Sequence, residues 1–293
     1  MSLPAAFISV ILIWSTTPLA IKWSAMGAGF SFAVLSRMAI GVVLCAVLLA
    51  MFRVRLPLHR RALHSYVASG SSMCGTMVLA YWSSQYVSSG MISVLFGLSP
   101  LITSLGAMLW LKEESITPNK LAGILLGLAG LALVFRGGLG LGDGAALGLI
   151  ALLMAVLIQA LGLVWIKKVA DDSPPLATTM GSLVVALPLF FIVWWLADGQ
   201  WPVAITARAV SAIVYLGMAG SVLGFMLYYY MIKHMETGRI ALINLITPVL
   251  ALLLGHQLNN EAVLLQVWFG TAFILLGLGL HRWGARVMVG RNG

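Results

Sequence analysis

Charged residues are scarce in this chain of 293 residues, where Asp, Glu, Lys and Arg together make up 9% of the sequence. An ordinary soluble domain carries about 25%. Because a soluble fold with so few charges could not cover its surface with charged residues, the composition excludes a soluble domain. Acidic residues are the scarcest, with 8 against 17 Lys and Arg. No basic face or nucleic-acid-reading motif accompanies the positive balance, so we expect no nucleic-acid partner.

Cysteine is nearly absent, and so are the motifs of enzymes. Cys45 and Cys74 fall inside apolar runs without a paired spacing, so we expect packing residues and predict no metal site and no cofactor. The five histidines lie near the ends of apolar runs, and no His-Glu-x-x-His, deep pair of aspartates or Gly-x-Ser-x-Gly elbow occurs. The sequence therefore predicts no enzyme, with a polytopic membrane enzyme as a distant alternative.

Long apolar runs are what the chain has instead. A helix needs about 20 apolar residues to cross a hydrocarbon core of about 30 Å. Runs of that length recur between short polar or Gly/Pro-containing gaps. The predicted spans are 3–23, 30–52, 64–86, 89–111, 118–136, 144–166, 176–197, 208–232, 239–258 and 263–283. The sequence thus predicts an all-α membrane protein with ten transmembrane helices surrounded by a lipid bilayer.

The basic residues follow the odd–even order of these spans. Thirteen lie in, or within three residues of, the gaps after even-numbered spans or the C-terminal tail, and the other four are Lys22, Arg37, Arg136 and Arg208. Cytoplasmic loops of membrane proteins carry the excess of Lys and Arg. The split therefore predicts that both termini are cytoplasmic, which requires an even number of helices.

The two halves of the chain match when one is shifted by 148 residues. The residues that coincide are Gly90 with Gly238, Pro100 with Pro248, Glu113 with Glu261, Tyr81 with Tyr229 and Trp82 with Tyr230. Five helices per repeat is an odd number, so the second repeat enters the membrane from the opposite face. We therefore predict two inverted repeats, residues 1–140 and 141–293, that form one membrane unit around a central cavity. This architecture is typical of secondary transporters.

Several short motifs resemble those of EamA-type carriers in the drug/metabolite transporter superfamily. In the first half they are the run from Ile13 to Lys22, Arg37, Leu98-Ser99-Pro100, the segment from Lys112 through Thr117 to Gly123, and Gly142-Asp143. The second half carries them more loosely, with Thr247-Pro248 and Gly270. It departs at Gly255-His256-Gln257, where the family usually has Gly-Glu. The resemblance covers nearly the whole chain.

This resemblance implies a bacterial inner-membrane protein that exports amino acids or related metabolites. The aromatic richness of the third and eighth spans is most similar to that of YddG-type exporters of aromatic and other amino acids. Export of other metabolites or of drugs is the alternative.

A channel is a rival function. A channel usually builds its filter from several identical subunits, whereas a duplicated chain can enclose its own pathway. The glycine spacings predict no oligomeric state.

Polar groups at membrane depth must be satisfied, so each either bonds a neighbouring helix or belongs to a transport pathway. An apolar cavity with a few hydroxyls suits apolar or aromatic amino acids. The residues predicted to line it are Trp14, Thr17, Tyr81, Trp82, Ser99, Gln159, Tyr229, Asn244 and Thr247. Pro100 and Pro248 remove backbone bonds inside related spans, so they are predicted hinges, with static kinks as the alternative.

Two cations lie inside or near the membrane. Snorkelling to the interface is the simplest explanation for Lys22, whereas Arg37 needs backbone carbonyls, a partner acid or an anionic substrate group. Each is predicted to make a structural contact or to bind the substrate carboxylate, and the structural contact is favoured for Arg37. All eight acids lie at span ends or in gaps. We therefore predict facilitated transport that is not coupled through an intramembrane carboxylate.

Overall fold

A computed structural model describes residues 2–111, 117–138, 144–235 and 237–289, except for some side chains within 225–241 and those of 282–289. Every regular element in these ranges is a helix, which confirms the predicted all-α class. Seven helices in the described ranges are long and apolar enough to cross a membrane, and two shorter apolar helices accompany them.

Ten helices, numbered here α1 to α10, correspond to the ten predicted spans. They are α1 Leu3–Ala28, α2 Phe30–Met51, α3 Arg60–Ser83, α4 Ser89–Leu111, α5 Pro118–Gly138, α6 Ala145–Val169, α7 Pro175–Ala197, α8 from Ala207 to His234, α9 Thr237–Asn259 and α10 Leu265–Val289. Two of them are not uniform. Helix α4 consists of Ser89–Phe96 and Ser99–Leu111, and α8 contains a π-helix, Leu216–Leu223, between two α-helical pieces.

Local sequence explains where several helices begin and end. Gly29 has a φ of 80°, a value that glycine adopts at little cost, and it separates α1 from α2 within a single residue. The Ser88 side chain accepts a hydrogen bond from Met91 N at the start of α4. Thr206 does the same for Ala209 N at the start of α8. Such caps satisfy donors that have no partner inside the helix.

The helices pack mainly across the two halves of the chain. The principal pairs are α1 with α8 and α9, α2 with α7 and α8, α3 with α6 and α7, α4 with α6 and α9, and α5 with α10. Cys45 and Cys74 are both buried in the apolar core that α2, α3, α7 and α8 share.

Glycines let α5 and α10 touch through their backbones. A Cβ on Gly123 would lie 2.6 Å from the Gly277 carbonyl oxygen, and one on Gly277 would lie 2.5 Å from the Gly123 oxygen. Gly130 and Gly270 repeat this arrangement at 2.6 and 2.7 Å. Small residues at such crossings allow close van der Waals packing in a membrane.

The connections between helices gather at two ends of the bundle. The Glu261 end holds residues 84–88, 198–206 and 260–264, which are joined to α1 and α2 by hydrogen bonds such as Lys22 to the Val87 carbonyl oxygen and Ser31 to Asp198. The Asp171 end holds residues 52–59 and 170–174, where His59 Nε2 lies 2.8 Å from the Asp171 carboxylate.

Candidate functional site

Arg37 lies in the interior of the bundle, in the first half of α2, and only 4% of it is exposed. Its Nε donates a hydrogen bond to Ser221 Oγ in α8 at 3.0 Å. Its Nη1 lies 3.5 Å from the hydroxyl of Tyr81 in α3, a long contact, and Tyr81 is fully buried. The guanidinium therefore joins three helices from both halves of the chain.

The π-helix of α8 faces Arg37. Its Gly220 stands opposite the guanidinium, since a Cβ there would lie 3.3 Å from Arg37 Nη2 and 3.7 Å from Thr17 Oγ1. One turn further, a Cβ on Gly224 would lie 3.1 Å from Trp14 Nε1. We call Trp14, Thr17, Arg37, Tyr81 and Ser221 the Arg37 cluster. Four of its five members are residues that the sequence singled out.

The Arg37 cluster contains one formal charge. Arginine stays protonated in proteins and carries five N–H donors. Among the described residues, the two ion pairs are Lys22 with Glu261 and His59 with Asp171, and neither includes Arg37. The hydrogen-bonding partners of the guanidinium in these residues are the neutral hydroxyls of Ser221 and Tyr81. The cluster can therefore attract an anion.

Lys22 is held by specific contacts at the Glu261 end. Its side chain is 14% exposed. Its Nζ donates to the Val87 carbonyl oxygen at 2.7 Å and lies 3.9 Å from the Glu261 carboxylate. Lys22 thus points into the Glu261 end and has an acid beside it, whereas Arg37 has none among the described residues.

Glu261 is held by several groups at once, although it lies in the connection between α9 and α10. It is 9% exposed, and its Oε2 accepts hydrogen bonds from the backbone N and the hydroxyl of Ser89, both at 2.8 Å. Asn259 donates to Oε1 at 2.9 Å and itself accepts from Trp23 Nε1 at 2.9 Å. The carboxylate thereby satisfies the first backbone donor of α4 and complements the positive end of that helix.

The predicted hinges lie close to one another. Helix α4 is interrupted between Phe96 and Ser99, directly before Pro100. The Pro248 ring packs there, with its Cγ 3.6 Å from the position of a Cβ on Gly97. Helix α9 continues through Pro248, so the two related prolines have different local structures.

The other predicted cavity residues make no hydrogen bond to the Arg37 cluster among the described residues, so their part in a cavity stays a prediction. Trp82 is partly buried and its ring centroid lies 4.8 Å from that of Tyr86. Ser99, Gln159 and Asn244 are partly buried and Thr247 is buried. The side chain of Tyr229 lies outside the described part of the chain, so its placement stays a prediction.

Sequence reasoning missed Ser221 and the π-helix around it. A lone serine in an apolar span has no distinguishing signal. Gly217, Gly220 and Gly224 gave no prediction of the π-helix, although all three lie in or directly beside the segment that departs from α-helical geometry. It also missed the contact between the hydroxyls of Thr16 and Tyr215, 2.6 Å apart, directly before that segment.

The comparisons with known proteins agree with this architecture. The chain is 26% identical over 304 residues to the uncharacterized inner membrane transporter YedA of Escherichia coli (strain K12), which covers 97% of this chain and 93% of that one. It is 25% identical over 189 residues to a probable amino-acid metabolite efflux pump of the same organism, and the match covers 60% of this chain and 63% of that one. A solved crystal structure at 21% identity has a TM-score of 0.66 over 98% and 99% of the two chains, which shows the fold alone.

The family assignment comes from a match in both halves of the chain. A model of the EamA-like transporter family matches residues 3–136 and residues 146–282. This match confirms the resemblance to EamA-type carriers inferred from the short motifs, and it indicates a transporter. The chain belongs to the EamA-like transporter family of multi-pass membrane transporters.

Proposed function

We propose that this protein exports amino acids with apolar or aromatic side chains, or related small metabolites, by alternating access between two inverted repeats. The observation that carries the proposal is the relation between the halves: the same family model matches residues 3–136 and 146–282. Inverted repeats that enclose a central site are typical of secondary transporters.

The helix pairing supports an inverted repeat. Each helix of one half has a counterpart five helices along in the other half. If every helix is replaced by its counterpart, the α3–α6 pair becomes α8–α1, the α3–α7 pair becomes α8–α2, and the α4–α6 pair becomes α9–α1, all of which are observed. The pairs α2–α7, α4–α9 and α5–α10 turn into themselves. A pseudo-two-fold axis between the halves produces this invariance, and an unrelated pair of bundles would not.

The glycine crossing of α5 and α10 supports the same symmetry at single residues. Adding 147 to 123 gives 270, and subtracting 147 from 277 gives 130. The Gly123–Gly277 contact is therefore exchanged with the Gly130–Gly270 contact. This shift is one residue shorter than the 148 that relates Gly90 to Gly238. The reason is that the connection between α4 and α5 is one residue longer than the connection between α9 and α10.

The substrate class rests on chemistry and on one relative. A protein that matches 60% of this chain is called a probable amino-acid metabolite efflux pump. The Arg37 cluster combines a cation, hydroxyls and the aromatic rings of Trp14 and Tyr81, which suits an apolar or aromatic amino acid. Within the family, the aromatic residues of the third and eighth spans favour a YddG-type exporter of aromatic and other amino acids. Export of other metabolites or of drugs is the second candidate.

The expected location is a bacterial inner membrane with both termini in the cytoplasm. The thirteen-to-four division of basic residues supports this orientation. A relative that matches 97% of the chain is called an inner membrane transporter. In this orientation the Glu261 end faces away from the cytoplasm and the Asp171 end faces it.

Transport is proposed to be facilitated, without a carboxylate that carries protons through the membrane. The described acids lie at the two ends of the bundle, where Glu261 contacts Ser89, Asp198 contacts Ser31 and Asp171 contacts His59. Coupled carriers usually place a carboxylate at mid-depth. Exchange should therefore proceed without an ion gradient.

Counterflow in proteoliposomes tests this function. Vesicles that hold the purified protein and unlabelled phenylalanine, leucine or threonine are diluted into labelled amino acid without any ion gradient, beside protein-free vesicles. We expect saturable uptake that overshoots and then decays, fastest with phenylalanine. If folded protein exchanges none of these amino acids, with or without a proton gradient, the amino-acid function is wrong. Exchange only with a gradient would overturn the uncoupled mechanism.

A further inference from the structure

We propose that Arg37 binds the carboxylate group of the transported molecule and that Ser221 and Tyr81 hold its guanidinium in position. The inference deepens the proposed function, because it names the group that the carrier recognises. The ligand class is a small carboxylate with an apolar or aromatic body. The alternative, a purely structural bridge between α2, α3 and α8, predicts different results in the experiment below.

The charge of Arg37 requires compensation that its described surroundings do not supply. Burying a cation in an apolar interior costs several kcal/mol or more unless an anion pairs with it. Arg37 is 4% exposed, and its partners among the described residues are two hydroxyls. Glu261, the acid that contacts α1 and α4, is already paired with Lys22. A substrate carboxylate would complete the arrangement.

The geometry leaves suitable donors for such a carboxylate. Nε and one hydrogen of Nη1 are directed to Ser221 and Tyr81. Of the five N–H groups of an arginine, three then make no hydrogen bond to the described residues, including both on Nη2. Guanidinium binds carboxylate through parallel N–H groups. Nη2 lies against Gly220, where a Cβ would already be 3.3 Å from it and 3.7 Å from the Thr17 hydroxyl, so a carboxylate reaches these donors only when this part of α8 moves.

The π-helix is a second, independent observation at the same place. Residues Leu216–Leu223 form it, and Gly224 N donates to the Ala219 carbonyl oxygen in the π pattern. Such segments are rare and occur frequently at functional sites. Here the π-helix brings Gly220 and Ser221 against Arg37. A return to α-helical geometry would rotate Ser221 away from Nε, which gives this part of α8 a way to expose the guanidinium during the transport cycle.

A matched set of ligands and variants tests the role of Arg37. Binding is measured by ligand-dependent thermal stabilisation in detergent and by competition for phenylalanine counterflow. The probes are phenylalanine, phenylalaninamide, 3-phenylpropionate and phenethylamine, which separate the carboxylate from the amine and the ring. The variants are Arg37→Gln, Arg37→Lys and Ser221→Ala. Arg136→Gln is the control, because it removes the same charge from an exposed position near the end of α5.

In the wild type, the two carboxylates are expected to bind at least tenfold more tightly than the two probes that lack one. Arg37→Gln should weaken the binding of the two carboxylates by about tenfold to a hundredfold, because it removes charge-assisted hydrogen bonds. It should leave the other two probes unchanged, and the preference should disappear. Arg37→Lys should retain part of the preference, and Ser221→Ala should reduce it by a few-fold. Arg136→Gln should match the wild type.

The outcomes separate this inference from the proposed function. If 3-phenylpropionate binds through Arg37 but no amino acid is bound or exchanged, the carboxylate site holds and the amino-acid function is wrong. If amino acids are exchanged and Arg37→Lys or Arg37→Gln weakens all four probes equally, Arg37 is only a structural bridge and the inference fails. Should Arg37→Gln not fold, unchanged carboxylate preference in both Arg37→Lys and Ser221→Ala overturns it.

Discussion

The Lys22 ammonium lies 3.9 Å from the Glu261 carboxylate, so α1 is paired with the connection between the last two helices of the chain. Lys22 also donates to the Val87 carbonyl oxygen, and Glu261 accepts from Ser89. The pair therefore joins α1, the start of α4 and the α9–α10 connection at one end of the bundle. The hydrogen bonds from Lys22 and to Glu261 are charge-assisted, so they hold these elements together more strongly than neutral hydrogen bonds would.

Breaking this pair should destabilise the protein strongly. Both side chains are largely buried, at 14% and 7% exposed, and removing one partner of a buried pair costs about 3 kcal/mol or more because the other charge is left uncompensated. We expect Lys22→Met and Glu261→Gln each to lower the thermal unfolding midpoint in detergent by roughly 5–10 °C. The double variant should lose much less than the sum of the two.

The comparison variant for this cycle is Arg136→Gln, which removes an exposed charge from another helix. It should unfold within about 1–2 °C of the wild type, since surface charges contribute little. If the effects of Lys22→Met and Glu261→Gln simply add, the two residues are not coupled, and each effect comes from separate hydrogen bonds, of Lys22 to Val87 and of Glu261 to Ser89 and Asn259.

The glycine crossing of α5 and α10 gives a second prediction. A methyl group on Gly277 would lie 2.5 Å from the Gly123 carbonyl oxygen and 2.9 Å from Gly127 N. Both are backbone atoms that no rotamer change can move. Gly277→Ala should therefore separate the helices and lower the unfolding midpoint by several degrees, about 2 kcal/mol or more by the cost of overpacking.

Gly41→Ala is the matched control for that variant. It makes the same substitution inside α2, but its methyl group would meet Leu183 Cδ1 at 3.5 Å, an ordinary van der Waals distance from a side chain. We expect it to be neutral or slightly stabilising, because alanine favours the helix by up to about 1 kcal/mol. Equal destabilisation by the two variants would mean that the α5–α10 contact is not special.

The contact between His59 and Asp171 predicts a pH dependence of stability. Burial by itself would raise the pKa of the Asp171 carboxyl, but hydrogen bonds from Ser173 and His59 and the charge of His59 together hold that pKa below its ordinary value. A carboxyl with a lowered pKa in the folded state stabilises the protein above its unfolded pKa, about 3.9. That contribution is lost as the pH falls through the folded value.

Asp171→Asn should therefore unfold at a lower temperature than the wild type at pH 6 to 7, and the difference should begin to shrink only as the pH falls below about 4. Asp172→Asn is the control, because that neighbouring side chain is exposed and should change little at any pH. A difference between Asp171→Asn and the wild type that is constant from pH 7 to pH 3 would show that the lowered pKa contributes nothing to stability.

Much of the fold could be predicted from the sequence because a membrane imposes simple rules. An apolar run of about 20 residues must form a helix, since no water is present to satisfy a free backbone. For this reason the ten predicted spans coincide with α1 to α10. The breaks inside helices could not be predicted, because the interruption of α4 before Pro100 and the π-helix of α8 depend on which neighbours take up the freed backbone groups.

The candidate site shows the same division. Arg37 could be singled out from the sequence because a charge inside an apolar run is costly wherever it lies, and the shifted repeat marked Tyr81 and Glu261. Their partners could not be found in this way. Serine at 221 is an ordinary residue in its own helix and gains a role only because the π-helix turns its hydroxyl to within 3.0 Å of Arg37 Nε.

The sequence by itself determined the class of the protein, the number of its helices and its family, because these follow from composition, period and short motifs along one chain. Only the tertiary structure decided which charges are paired. Lys22 and Glu261 are 239 residues apart in the numbering, since 261 minus 22 is 239, yet they form an ion pair. Arg37 finds no such acid among the described residues. Pairing of this kind depends on distances across helices, which hydropathy and spacing do not encode.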